Sequence, residues 1–177
     1  MKVICVIVSS VDGKTTKNNN PDVYHWSSKE DQKYFFALIK KNDLLIMGRK
    51  TFDNAKHLME HKKGKLRVVM TTQPEKFSKL MQKDILEFTS EPPKKLLQKL
   101  AKKGFQQALL LGGATTNTAF AKSNLIDEVW LTIEPFLFGK GNAFFDDFFV
   151  DLKLTLISTK KLNKQGTLLL KYTVSKN

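Results

Sequence analysis

The sequence is poor in residues on which several classes of protein depend. Its single cysteine, Cys5, excludes a disulfide within the chain and a thiolate metal cluster, and makes a reducing compartment, the cytoplasm, the expected setting. Arginine occurs only at Arg49 and Arg67, although the formal net charge is +13. Clustered cations gain affinity for nucleic acid by releasing phosphate counterions, but bidentate phosphate and base recognition draws on arginine. The lysines are also scattered through every segment, so a basic nucleic-acid-binding protein without catalysis stands only as an alternative from another class. Long hydrophobic runs are missing too, because lysine and aspartate interrupt every apolar stretch short of the ~20 residues a membrane-spanning helix needs. His25, His57 and His61 lie in polar segments with no serine nucleophile elbow nearby, which leaves no recognisable triad. His57 and His61 are four apart on an expected helix, but a solvated helical face is the preferred reading, and no metal is invoked.

What the chain does have is a regular alternation of apolar runs and helical patterns over 177 residues, of which 41% are hydrophobic. One domain with a core and a ligand-sized cleft is expected. Val3 to Val8 follows Met1-Lys2 directly and reads as a central strand buried on both faces, not as a signal peptide. Further strands are expected at Leu44–Met47, Leu66–Met70, Ile85–Phe88 and Gln107–Leu111. Between them the pattern gives a helix capped by Ser27 or Ser28 with a stripe of Tyr34, Phe35, Leu38 and Ile39. Others follow over about Thr51–Glu60, Glu75–Met81, Pro93–Lys102 and Ala114–Lys122. From Asp127 the texture changes to strands without helices, at Glu128–Pro135, Thr155–Leu162 and Thr167–Val174. The fold class is α/β, a mixed, mostly parallel sheet with flanking helices and C-terminal antiparallel strands. Thr15 to Asn20, followed by Pro21, reads as an exposed loop able to fold over a cleft.

In such a sheet, ligands bind beyond the carboxyl ends of the parallel strands, where helix starts offer unsatisfied amides. Gly112-Gly113-Ala114-Thr115 opens a helix after a buried strand, so that bare backbone can approach a pyrophosphate. Gly48-Arg49-Lys50-Thr51 repeats the geometry with two cations and a hydroxyl. Thr71-Thr72 either offers hydroxyls to a ribose or its phosphate, or caps the next helix. The three spaced glycines of the Rossmann fingerprint are absent. Hydride transfer asks least of side chains, since a cofactor carries the reactive group. Asp12, after the first strand, and Asp31 or its neighbour Glu30, in the first turn of the next helix, are the candidates for proton delivery or substrate anchoring.

Taken together, Ser9-Ser10-Val11-Asp12-Gly13-Lys14, Trp26-Ser27-Ser28, Ile46 to Phe52, Leu111-Gly112-Gly113, Leu125 to Val129 and Glu134 to Gly141 resemble the dihydrofolate reductase-like superfamily, especially its riboflavin-biosynthesis reductase branch. The resemblance covers nearly the whole chain and implies the three-layer fold of that family. It implies NADPH held by Gly48 to Thr51, Thr71, Thr72 and Gly112 to Thr115, with Arg49 and Lys50 suited to the 2'-phosphate. Asp12, Gly13, Lys14 and the start of the first helix would surround the substrate, with Phe35 against a flat ring. Asp12 and Asp31 are the catalytic candidates. The substrate implied is a heterocycle, possibly phosphorylated, reduced as by a 5-amino-6-(5-phosphoribosylamino)uracil reductase or, alternatively, a dihydrofolate reductase. A homodimer is also implied. A member that binds NADPH without turnover is the third reading.

Overall fold

Alternation along the strands sorts apolar side chains onto two faces of one sheet, and the helices cover both. In the computed structural model, which describes residues 1–177 except 19, 60, 61, 148, 150, 176 and 177, the strands are β1 (Lys2–Ser10), β2 (Leu44–Gly48), β3 (Leu66–Met70), β4 (Leu86–Thr89), β5 (Gln107–Leu110), β6 (Glu128–Glu134), β7 (Leu154–Lys161) and β8 (Leu168–Val174). The helices are α1 (Lys29–Lys41), α2 (Arg49–Ala55), α3 (Pro93–Lys102) and α4 (Ala114–Lys122), with short 3-10 turns at Val23–His25, Lys56–Leu58 and Pro74–Leu80. The sheet order is β4-β3-β2-β5-β1-β6-β8-β7. All pairings from β4 to β6 are parallel, while β8 pairs antiparallel with β6 and β7. This is the expected mixed sheet with its antiparallel end.

One face buries Val3, Cys5 and Ile7 of β1 with Leu96 and Leu100 of α3 and Phe120 of α4. The other buries Ile4 with Leu38 of α1 and Phe52 of α2. Three layers result, and β1 is central as its unbroken apolar run implies. Burial on both faces does not run the full length of β1, however, because Val6 and Val8 are only partly covered. They lie on the α1 face toward the carboxyl end of the strand, where the topology switches: from β1 the chain builds β2, β3 and β4 outward, then returns to insert β5 beside β1. A crevice is expected at such a point.

Several boundaries differ from the sequence reading. Helix α2 begins at Arg49 and ends at Ala55 before a 3-10 turn, because Gly48 closes β2 and serves directly as the cap. The expected helix end at Glu60, and His61, lie outside the described residues. The segment expected as a helix over Glu75–Met81 is a 3-10 turn started by Pro74. Thr16 is buried, contrary to the exposed loop expected there. Its hydroxyl accepts from the Asn142 N–H at 2.8 Å and donates to the Asn18 carbonyl. The loop after β1 is therefore docked against the 136–142 segment, with further backbone bonds from Val11, Thr15 and Asn18 to Phe136, Asn142 and Lys140. A Cβ at Gly141 would overlap the Thr16 carbonyl oxygen, so the close approach requires glycine there.

Candidate functional site

Two helix starts meet at the carboxyl ends of β2 and β5. The Gly48 N–H donates to the Gly112 carbonyl at 2.7 Å, and the Leu111 N–H to that of Ile46 at 2.8 Å. The Gly112–Gly113 peptide bond is cis, and Gly112 has a φ of +86°, the left-handed conformation that favours glycine. Neither α2 nor α4 has a side-chain cap on its first turn. The two turns are interlocked: a Cβ on Gly48 would come within 2.5 Å of the Thr116 hydroxyl, and one on Gly113 would stand 3.4 Å from that of Thr51. Below them Asn117 is buried and donates to the Phe144 carbonyl.

The other residues expected around a cofactor fall into place unevenly. Ala114 and Thr115 are the first residues of α4. Arg49 is ion-paired with Asp53 one turn along α2, while Lys50 is exposed. At the end of β3, the Thr71 hydroxyl accepts from the Gln73 N–H at 3.3 Å and closes a local turn, while the 3-10 turn that follows has no side-chain cap, contrary to the capping role weighed as its alternative. Thr72 is exposed beside it.

Across β1 the site changes character. The carboxylate of Asp12 accepts from the Ser10 hydroxyl at 2.6 Å, the Phe138 N–H at 3.0 Å and the Gly139 N–H at 2.7 Å. These bonds hold its carboxyl down to about 2. Gly13, at φ +74°, and Lys14 complete the turn, in which the Ser10 N–H donates to the Lys14 carbonyl and the Lys14 N–H to the Ser10 hydroxyl. Asp31 sits at the opposite extreme. It is 5% exposed in the first turn of α1, hydrogen-bonded to Thr132 of β6 and beside Glu134, and burial chiefly pushes its carboxyl up to about 6. Its helix begins at Ser28, whose hydroxyl accepts from the Asp31 N–H at 3.2 Å. Of the two carboxylates considered in this turn, Asp31 is the buried one, and Glu30 is exposed and meets Asn163 instead.

Strand register sets Val8 beside Thr132, Ser10 beside Glu134, and Cys5 beside Leu110. The half-buried Val6 and Leu111 pack with Tyr34 of α1 against one core cluster, with Val8 further along the same face of β1, while Phe35, also half-buried, meets Phe36 edge to face. Burial pushes the Tyr34 hydroxyl up to about 12, with a smaller push from the charge of Asp31. The Tyr34 hydroxyl and the Trp26 indole N–H are buried without a hydrogen-bond partner among the described residues.

Sequence reasoning did not single out Thr132 or Glu134. A signal existed in Glu128-Val129-Trp130-Leu131-Thr132-Ile133-Glu134, whose even positions are polar or amphipathic. That alternation ordinarily marks a solvent face, yet here α1 covers it, and Thr132 and Glu134 are 3% and 1% exposed.

The family model of the RibD C-terminal domain matches residues 1–168. The chain belongs to that family. It is 24% identical over 169 residues to the uncharacterized protein YwjB of Bacillus subtilis (strain 168), covering 92% of this chain and 93% of that one. Among solved structures it is similar to RibD of Acinetobacter baumannii, with a TM-score of 0.76 and 20% identity over 98% of this chain and 58% of that one. It is also similar to dihydrofolate reductase from Enterococcus faecalis complexed with NADP(H), with a TM-score of 0.69 and 16% identity over 99% of this chain and 97% of that one. As a RibD C-terminal domain with a dihydrofolate reductase-like fold, the chain has the architecture that its sequence resembles. Among the described residues no group of His, Cys, Asp and Glu is arranged to hold a metal ion, and no helix is long and apolar enough to cross a membrane.

Proposed function

We propose that this RibD C-terminal domain is an NADPH-dependent reductase of a pyrimidine-like or pteridine-like heterocycle, with Asp31 delivering the proton. The observation that carries this reading is the convergence, along one sheet end, of two uncapped glycine helix starts and the buried carboxyl of Asp31. The glycine turns fit a dinucleotide. They present bare amides where a side chain at Gly113 would intrude, and a helix start favours phosphate charge. Gly48, Thr51, Gly112, Gly113, Ala114 and Thr115 would hold the pyrophosphate side. Lys50 and Thr72 are better placed than Arg49 and Thr71 for a 2'-phosphate, because the latter two are engaged with Asp53 and Gln73. When bound, NADPH supplies the hydride for an electrophilic C=N carbon.

The chain's own residues would do the rest. Val6, Val8, Leu111 and Phe35 offer an apolar slot for a flat ring and exclude water from it. Asp31, oriented by Thr132, would give its proton to the nitrogen, which becomes more basic on reduction. Asp12 carries no proton at neutral pH, since three donors stabilise its charged form. Its role in this reading is to pin the 136–140 segment beside Gly13 and Lys14, which would face the substrate. The resemblance to riboflavin-branch reductases favours a ribosylaminopyrimidine phosphate over dihydrofolate as the substrate to propose. A homodimer is proposed through β7, an edge strand whose Leu154, Leu156 and Ile157 are 42–53% exposed.

The test is oxidation of NADPH, followed at the nicotinamide absorbance band, with each of the two substrates offered in turn. Turnover of the ribosylaminopyrimidine phosphate, falling as pH rises above about 6, is the expected result. Absence of turnover with either would overturn the reductase reading.

A further inference from the structure

We propose that Glu134 is the positioning residue for Asp31: a second buried carboxylate that fixes the start of α1 and holds a proton on its neighbour. The inference rests on Asp31 being the proton carrier of the reaction. Glu134 is the last residue of β6 and is 1% exposed. One carboxylate oxygen accepts from the Ser28 N–H at 2.8 Å, and the other from the Thr167 hydroxyl at 2.7 Å. Ser28 in turn caps the turn that carries Asp31. Thr167 is fixed by Asn163, whose side-chain amide donates to its hydroxyl at 2.8 Å, and whose carbonyl oxygen accepts from the Thr167 N–H. The tip of the β7–β8 hairpin, the end of β6 and the start of α1 are therefore tied through one carboxylate.

A buried carboxylate costs several kcal/mol of solvation unless its partners compensate. Two neutral donors compensate only in part, and a glutamine would serve the same architecture at lower cost. What glutamine would not supply is negative charge beside Asp31. Among the described residues, the groups that act on Asp31 or feel its charge are Thr132 and Glu134 from β6, Tyr34 from α1 and Tyr24 from the preceding turn, none of them a cation. The cation of Lys171, on β8, stands 3.7 Å over the Trp130 ring and 5.9 Å over that of Tyr34, where burial lowers the pKa of its ammonium against an opposing pull from Glu128. Like charge beside a buried acid favours its protonated form. Glu134 therefore adds to the effect of burial on Asp31, in the same direction.

The experiment is a carbon-13 titration of the aspartate and glutamate carboxyls of the full chain, with the Asp31 signal assigned by its loss in Asp31→Asn. In the native protein the Asp31 midpoint should lie well above the ordinary aspartate range. In Glu134→Gln the Asp31 midpoint should fall by about one unit. Thr167→Val, which removes a hydrogen bond and no charge, should move it by less than about a third of that. An unchanged Asp31 midpoint in folded Glu134→Gln would overturn the proposal. The pH profile of kcat/KM is read alongside. If the carboxyl midpoint moves and the profile does not, Glu134 acts on Asp31 as proposed, and the reading of Asp31 as proton donor fails.

Discussion

The two halves of the cleft are built from different materials. On the β2–β5 side the site is backbone: two glycine turns and two helix starts without a side-chain cap. On the β1–β6 side it is side chain: Asp31, Thr132, Glu134 and Thr167 buried in a hydrogen-bonded group around a capped helix start. Backbone can bind phosphate in water because helix dipoles and amides need no burial to be oriented. Proton delivery near neutral pH needs an acid removed from water, and that demands side chains with precise partners. The division matches a cofactor that many proteins bind in one way and a substrate specific to each.

The largest effect that would break this comparison is expected at Gly113. Its backbone is extended, at φ −73° and ψ −162°, and a Cβ there meets only the Thr51 hydroxyl. Gly113→Val should therefore fold, with NADPH affinity lower by on the order of a hundredfold. Gly48→Ala should instead lose stability, by about 1–3 kcal/mol in denaturant unfolding, because its Cβ would strike the Thr116 hydroxyl. Retained NADPH affinity in a folded Gly113 variant would remove the backbone half of the account.

The next effect lies at Asp31. Asp31→Asn should cut kcat/KM by about 10²–10⁴, with NADPH affinity unchanged. The same variant tests the electrostatics through stability. A carboxyl pushed up to about 6 binds its proton more tightly in the folded than in the unfolded chain. Native stability should therefore fall as pH rises from about 4 to 6, by on the order of 3 kcal/mol. Asp31→Asn should lack that fall, as measured by urea unfolding across the range. The smallest effect separates the two cations of α2. Because Arg49 is paired with Asp53, Lys50→Ala should narrow the preference for NADPH over NADH by about tenfold, and Arg49→Ala by less.

Legibility in the sequence divides along the same line. The backbone half was readable, since glycines that end buried strands and open helices advertise their geometry, and alternating elements followed by helix-free strands point to one mixed sheet, though not to its strand order. Gly48, Gly112 and Gly113 lie side by side in the structure. The side-chain half was readable only in Asp31, through its place in the first turn of a capped helix. Thr132 and Glu134 were hidden because a strand that alternates polar and apolar residues looks the same whether its polar face meets water or a helix. Thr16 was hidden within a polar loop, since its burial depends on the 136–142 segment more than a hundred residues away. Asp12 was placed correctly after β1, but its three donors, two of them from that distant segment, are tertiary facts.

The central claim is that the paired glycine turns hold NADPH. The most direct measurement is a titration of the purified protein with NADPH and with NADH, followed by nicotinamide fluorescence, in the native protein and in Gly113→Val. Saturable binding that prefers NADPH and is lost in the variant is the predicted result. Equal indifference of the native protein to both cofactors would contradict the account.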